Sequence, residues 1–107
     1  MIERRWRGFA PKTGNDAYLR PFKTRALPEL EGIEGFRGGD LLSRTERDSV
    51  EYTALTRWDS IEALRRFADP DHERALVEPG AGAALEWFDE TVQHHEIVVS
   101  TPDPLAR

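Results

Sequence analysis

The 107-residue chain contains no cysteine. Disulfides, thiolate nucleophiles and cysteine-held zinc or iron–sulfur sites are thereby excluded, and the composition suits a reducing, cytoplasmic setting. Long apolar runs are also missing. None approaches the roughly 20 residues that cross a bilayer. Met1-Ile2-Glu3-Arg4-Arg5-Trp6 lacks the apolar stretch of a signal peptide, so neither a membrane span nor a secretory leader is expected. Positive charge is in the minority. The net charge is -5 at pH 7, and the arginines are interleaved with acids. No clustered basic surface is available to neutralise nucleic-acid phosphates. Histidine occurs three times. His94 and His95 are adjacent, and on a strand they point to opposite faces. No two-histidine-plus-carboxylate spacing for a metal results. Gly80-Ala81-Gly82 lacks the lysine and preceding strand of a phosphate-cradling loop.

What is present is a globular composition, 38% hydrophobic and 33% charged. Its length corresponds to one domain. Residues 1–100 form that domain, and 101–107, with two prolines, form a fraying tail. The stretch Ser49 to Phe67 organises the rest. Up to Trp58 it reads as a strand, rich in β-branched and aromatic residues. Asp59 with Glu62 then has the spacing of a capping box. Ile61, Leu64 and Ala68, with Phe67 beside them, give a helical stripe that ends near Asp69-Pro70.

The other elements fall around that corner. Ile2 to Phe9 reads as a strand, with Ile2, Arg4 and Trp6 on one face. Asn15 or Asp16 caps a helix whose stripe is Leu19, Phe22, Ala26, Leu30 and Ile33. Pro28 is expected to kink or end it. Phe36 to Glu46 reads as a second strand, with Gly38-Gly39 marking a bulge or a close backbone approach. Arg47-Asp48 makes a hairpin turn into the strand from Ser49. His72 to Val77 adds a helical turn, Pro79 to Gly82 a loop and Ala83 to Phe88 a short helix. Glu90 to Ser100 is the last strand, closing on Ile97, Val98 and Val99.

The order strand, helix, strand, strand, helix, strand is the split βαβ arrangement. The fold class is α+β, ferredoxin-like βαββαβ, with a four-stranded antiparallel sheet. Two helices cover one face. The other is apolar if Phe9, Leu41, Leu55, Ile97 and Val99 share it, and such a face calls for a partner. A second copy is the simplest one, giving a homodimer joined through its sheet faces.

Several stretches together resemble the antibiotic biosynthesis monooxygenase superfamily of dimeric α/β-barrel proteins. They are Ile2 to Gly8, Leu27-Pro28, Gly35 to Gly39, Thr56-Arg57-Trp58-Asp59-Ser60, Phe67-Ala68, Pro79 and Val92 to Ile97. The likeness runs from about Ile2 to Val98, and Trp-Asp-Ser before an amphipathic helix is its most specific part. It implies a dimeric α/β barrel with a cavity in each subunit for a small, flat hydrophobic ligand. It also implies a cofactor-independent monooxygenase acting on an aromatic phenol or quinone-like substrate. Such chemistry needs a base near neutral pKa, donors near the developing anion and apolar walls.

The sequence offers His94 as catalytic base, with His72 as a second histidine. Trp6, Tyr52 and Trp58 supply walls or donors, and Arg4 an anion partner. Each also has a plain structural role available: packing for the tryptophans, a structural hydrogen bond for His94, solvated charge for the arginines. The haem-degrading branch of the superfamily has an axial histidine on the helix after the Trp-x-Ser corner and an asparagine on the first strand. Here the corresponding position falls near Val77, and the first strand has no asparagine. No cofactor is expected. The alternatives are a non-catalytic dimeric ligand-binding protein, and an isomerase or cyclase using His94 as a proton shuttle.

Overall fold

The computed structural model describes residues 1–13, 16–68 and 85–101. The His72 to Val77 turn, the Pro79 to Gly82 loop and the tail beyond 101 lie outside those residues. The described elements are β1 (Ile2–Pro11), α1 (Asp16–Pro21), a π-helical turn (Phe22–Ala26), α2 (Leu27–Glu31), β2 (Phe36–Glu46), β3 (Ser49–Trp58), α3 (Ile61–Ala68), β4 (Trp87–Phe88) and β5 (Gln93–Glu96). The sheet is antiparallel, with β2, β3 and β1 in order and both β4 and β5 against the far side of β1. This is the expected ferredoxin-like α+β fold.

Alternation decides the faces. In β1, Arg4, Trp6, Gly8 and Ala10 are buried, and in β3 so are Val50, Tyr52, Thr56 and Trp58. Register aligns the two sets, Arg4 opposite Thr56 and Gly8 opposite Tyr52. Two clusters cover this face. One joins Trp6, Ala10, Tyr18, Val50, Tyr52 and Val92; the other joins Leu30, Trp58, Ala63 and Leu64. As expected, β2 and β3 meet through a two-residue turn, where Arg47 takes a φ of 45°.

The bulge forms at Gly38-Gly39, and it corrects the expected face of Leu41. The register slips between Phe36 and Gly39, and Gly38 has a φ of 101° that side-chain-bearing residues rarely adopt. After the slip, odd residues of β2 face the helices. Leu41 packs on the core beside Ala54, and Leu42, 50% exposed, takes the outer face.

The first helical stretch runs past its proline instead of ending there. Pro28 has no amide to offer the carbonyl four residues back. The chain widens before it. The Leu27 amide bonds to the Phe22 carbonyl, five residues back, which is a π turn. Pro28 then falls in the first turn of α2, where a missing amide is harmless. The cap of α3 also differs from expectation. Ser60 Oγ accepts the Ala63 amide at 3.2 Å, whereas the Asp59 carboxylate binds Arg37.

The last strand is broken, where a continuous one over Glu90 to Ser100 was expected. Trp87 and Phe88, expected in a helix, form its first piece. Their flanking amides are taken by β1: Glu86 N bonds to Phe9 O at 2.7 Å, and Asp89 N to Arg7 O at 2.9 Å. Gly8 faces Phe88 and Arg5 faces Gln93. Three steps along β1 thus match five along its partner, so two extra residues sit in the gap. Asp89 fills it, its carboxylate accepting the Arg7 amide at 3.1 Å. The ladder ends near Glu96 because β1 itself begins at Ile2. Ile97 N reaches Met1 O at 2.9 Å; beyond it Val98 and Val99 are 85% and 81% exposed.

Candidate functional site

A cavity of about 310 Å³ lies beneath the first helical stretch, against β2 and β3. Leu19, Phe22, Leu27, Leu30, Phe36 and Leu41 give it apolar walls. The polar residues lining it are Lys23, Asp40, Ser43, Tyr52 and Thr56. This is the low end of the volume range of small-molecule sites, with their usual mixture of apolar wall and few polar groups. The π turn helps to line it, since Phe22 and Lys23 both belong to that turn. Asp40 is engaged by Arg57 at 3.1 Å.

An aromatic layer packs behind Tyr52, which lines the cavity. Tyr18 stands 4.9 Å from Tyr52 and 6.1 Å from Trp6, the latter pair stacked at 25°. Phe88 lies 6.2 Å from Trp6. The Trp6 indole lies over the backbone of Gly8, where a Cβ would meet its ring at 2.7 Å. Its Nε1 donates to the Asp89 carbonyl at 2.8 Å. The broken last strand thus holds the tryptophan. Burial, and then the nearby Tyr52 phenol, push the Tyr18 hydroxyl well above its ordinary value. It stays protonated in the folded protein at neutral pH.

One lateral row crosses the whole sheet on this face. Gly39 pairs with Thr56, Thr56 with Arg4, and Arg4 with His94. The row begins at the cavity floor, which Gly39 and Thr56 both line. Arg4 is 8% exposed, and burial lowers its guanidinium to about 10. A cation held so dry is a strong partner for an anion. His94 is half-buried at the row's far end. His95 faces the other way, opposite Glu3, and is exposed.

Of the residues singled out from the sequence, Tyr52 lines the cavity. Arg4, Trp6, Trp58 and His94 share its face of the sheet but are not in the described lining. Trp58 is fully buried, edge-on to Phe36 at 5.3 Å, and donates from Nε1 to Thr56 Oγ1 at 3.0 Å. His72 lies outside the described residues. Sequence reasoning missed Tyr18 and the lining role of Thr56. Tyr18 precedes Phe22 by four residues and begins an i, i+4 series with Ala26 and Leu30 that was open to view. Thr56 carried no such signal, because its place over a cavity depends on the glycine across the strand.

No protein-family model matches the sequence, and no curated protein is similar to it in sequence. Solved structures do share its fold. An antibiotic-biosynthesis-monooxygenase-type protein of Bacillus cereus superposes with a TM-score of 0.67 at 15% identity, covering 95% of this chain and 97% of its own. SnoaB, a cofactor-independent oxygenase from Streptomyces nogalater, gives 0.62 at 17% identity over 95% and 98%. The heme-degrader MhuD of Mycobacterium tuberculosis, with two hemes in its active site, gives 0.61 at 21% over 94% and 99%. The chain has the fold of these antibiotic-biosynthesis-monooxygenase-type proteins.

Proposed function

We propose that the protein is a cofactor-independent monooxygenase that oxidises an aromatic phenol or quinone-like compound in the cavity beneath its first helical stretch. The observation that carries this reading is the cavity itself: apolar walls, a polar floor and a dry cation one strand beyond it, in the fold of SnoaB. An anthrone illustrates the balance. Removal of a ring proton gives an electron-rich anion, which reduces dioxygen. One oxygen atom becomes a carbonyl at the former methylene carbon. The other leaves as water with the two hydrogens. His94 is the base in this scheme, and Arg4 stabilises the anion beside it. The aromatic layer of Trp6, Tyr18 and Tyr52 keeps water from the intermediate.

Haem, which MhuD binds, does not suit the described lining. That lining holds no histidine, cysteine or methionine to serve as an axial ligand, and its one phenol, Tyr52, packs on Tyr18. The working unit in this proposal is a homodimer. The outer sheet face carries Phe9, Leu42, Leu55 and Trp87, the Phe9 and Trp87 rings 5.4 Å apart, and a second copy would cover them.

Oxygen uptake with dithranol tests the activity. Uptake is expected in the wild type and not in His94→Ala that still binds the compound. One observation favours a second reading: the described cavity lining contains no histidine. A ligand-binding protein without catalysis would bind phenols across a panel and consume no oxygen with any of them.

A further inference from the structure

Thr56 brings a hydroxyl-bearing side chain to the cavity floor. It is a lining residue, 9% exposed, two residues before the end of β3. A threonine hydroxyl has one proton to give and two lone pairs to accept with. One lone pair is occupied, because Trp58 Nε1, which can only donate, reaches Oγ1 at 3.0 Å. Trp58 is immobile, with no exposed surface, so this bond fixes the side chain of Thr56. Across the sheet Thr56 has Arg4 on one side, which is also donor-only. On the other side stands Gly39, which has no side chain. A Cβ on Gly39 would lie 2.5 Å from the Leu55 carbonyl and 3.3 Å from Thr56 Cγ2, so the floor beside Thr56 stays bare. The hydroxyl proton is given to no described residue. It is available to an acceptor in the cavity that Thr56 lines.

We infer that Thr56 is a ligand-anchoring residue. Its hydroxyl, set by Trp58, donates a hydrogen bond to an acceptor oxygen of the bound aromatic compound, a phenolate or quinone carbonyl. The site therefore selects flat aromatics carrying such an oxygen over hydrocarbons of the same shape. The inference rests on the cavity being the ligand site, as proposed above, and adds which atom of the protein reads the ligand. An anion anchored there lies one strand from Arg4, so the same contact would orient the charge toward the buried guanidinium.

Two probes separate the inference from the reading beneath it. 1,8-Dihydroxyanthraquinone presents acceptor oxygens, and N-phenyl-1-naphthylamine fills an apolar cavity without any. Titrations with wild type, Thr56→Val and Thr56→Ser measure both. Thr56→Val is expected to weaken the quinone about fivefold to tenfold, the size of one lost neutral hydrogen bond. It should leave the naphthylamine within about twofold, and Thr56→Ser should restore the quinone. Equal loss of both probes, or of neither, overturns the anchoring role while leaving the cavity as a binding site. Failure of wild type to bind either probe overturns both proposals. The carbonyl stretch of the bound quinone in wild type gives a test that needs no variant. A shift to lower frequency than in an apolar solvent supports the donor, and an unshifted band overturns it.

Discussion

Replacing Asp89 with alanine tests how the broken last strand holds the sheet. The Asp89 carboxylate accepts the Arg7 amide at 3.1 Å and the Arg7 Nε at 3.3 Å. The ion pair is partly open, its side chains 37% and 24% exposed, and is worth at most about 1 kcal/mol. The backbone bond is the larger part. An amide on the central strand left with poor access to water costs about 1–2 kcal/mol. Asp89→Ala is therefore expected to destabilise by about 2 kcal/mol, or roughly 8–16 °C in Tm at the scale of a small domain. Asp89→Asn keeps an oxygen in place for the amide and loses only the charge, so it should cost less than about 1 kcal/mol. Urea unfolding at one fixed protein concentration measures both, because any association would add to the apparent stability. If asparagine is as damaging as alanine, charge rather than the backbone bond holds the gap. If alanine costs less than about 0.5 kcal/mol, Asp89 is incidental and the reasoning fails.

Other predictions follow from the same geometry. Tyr18 retains its proton in the folded state above the ordinary value of 10.0, whereas the unfolded chain releases it there. The unfolded state then binds fewer protons, so stability falls as pH rises above 10. In urea titrations Tyr18→Phe should lose less stability than wild type between pH 9 and 11 (about the window set by the ordinary tyrosine value). Ser60→Ala removes the cap of α3 and should cost about 1 kcal/mol; Asp59→Ala, which leaves that cap intact, should cost less. Light scattering is expected to give twice the chain mass for wild type and the single-chain mass for Trp87→Asp. A wild-type monomer at micromolar concentration would remove the face-to-face dimer.

The sequence showed the sheet more clearly than the helices. The β2 and β3 ranges, their two-residue turn and the Gly38-Gly39 bulge could all be read, since each depends on local chemistry. Alternation put Arg4 with Trp6 and Tyr52 with Trp58, but that the two pairs share one face depends on the register of β1 against β3. Leu41 and Leu42 could not be separated, because adjacent leucines are equivalent until a bulge sets the register. The π turn was hidden because Pro28 signals a broken α-helical bond but not how the chain answers it. Asp59 looked like the cap because its spacing to Glu62 suits one; Arg37, brought near by the hairpin, took the carboxylate, and Ser60 was left to cap. The broken strand was out of reach, because it rests on Asp89 meeting an amide 82 positions away. The cavity was implied by resemblance, yet its floor at Thr56 and Gly39 arises only when two strands lie side by side.

Both outermost strands of the sheet are interrupted. On one border β2 is kinked at Gly38-Gly39, and on the other β4 and β5 are parted by two surplus residues. An incoming strand needs a straight, unbroken row of amides and carbonyls to continue a sheet. The border of β4 and β5 presents none for more than a short distance, whereas β2 runs unbroken from Gly39 to Glu46. Growth by strand addition, the route to fibres, is discouraged on the flank of β4 and β5.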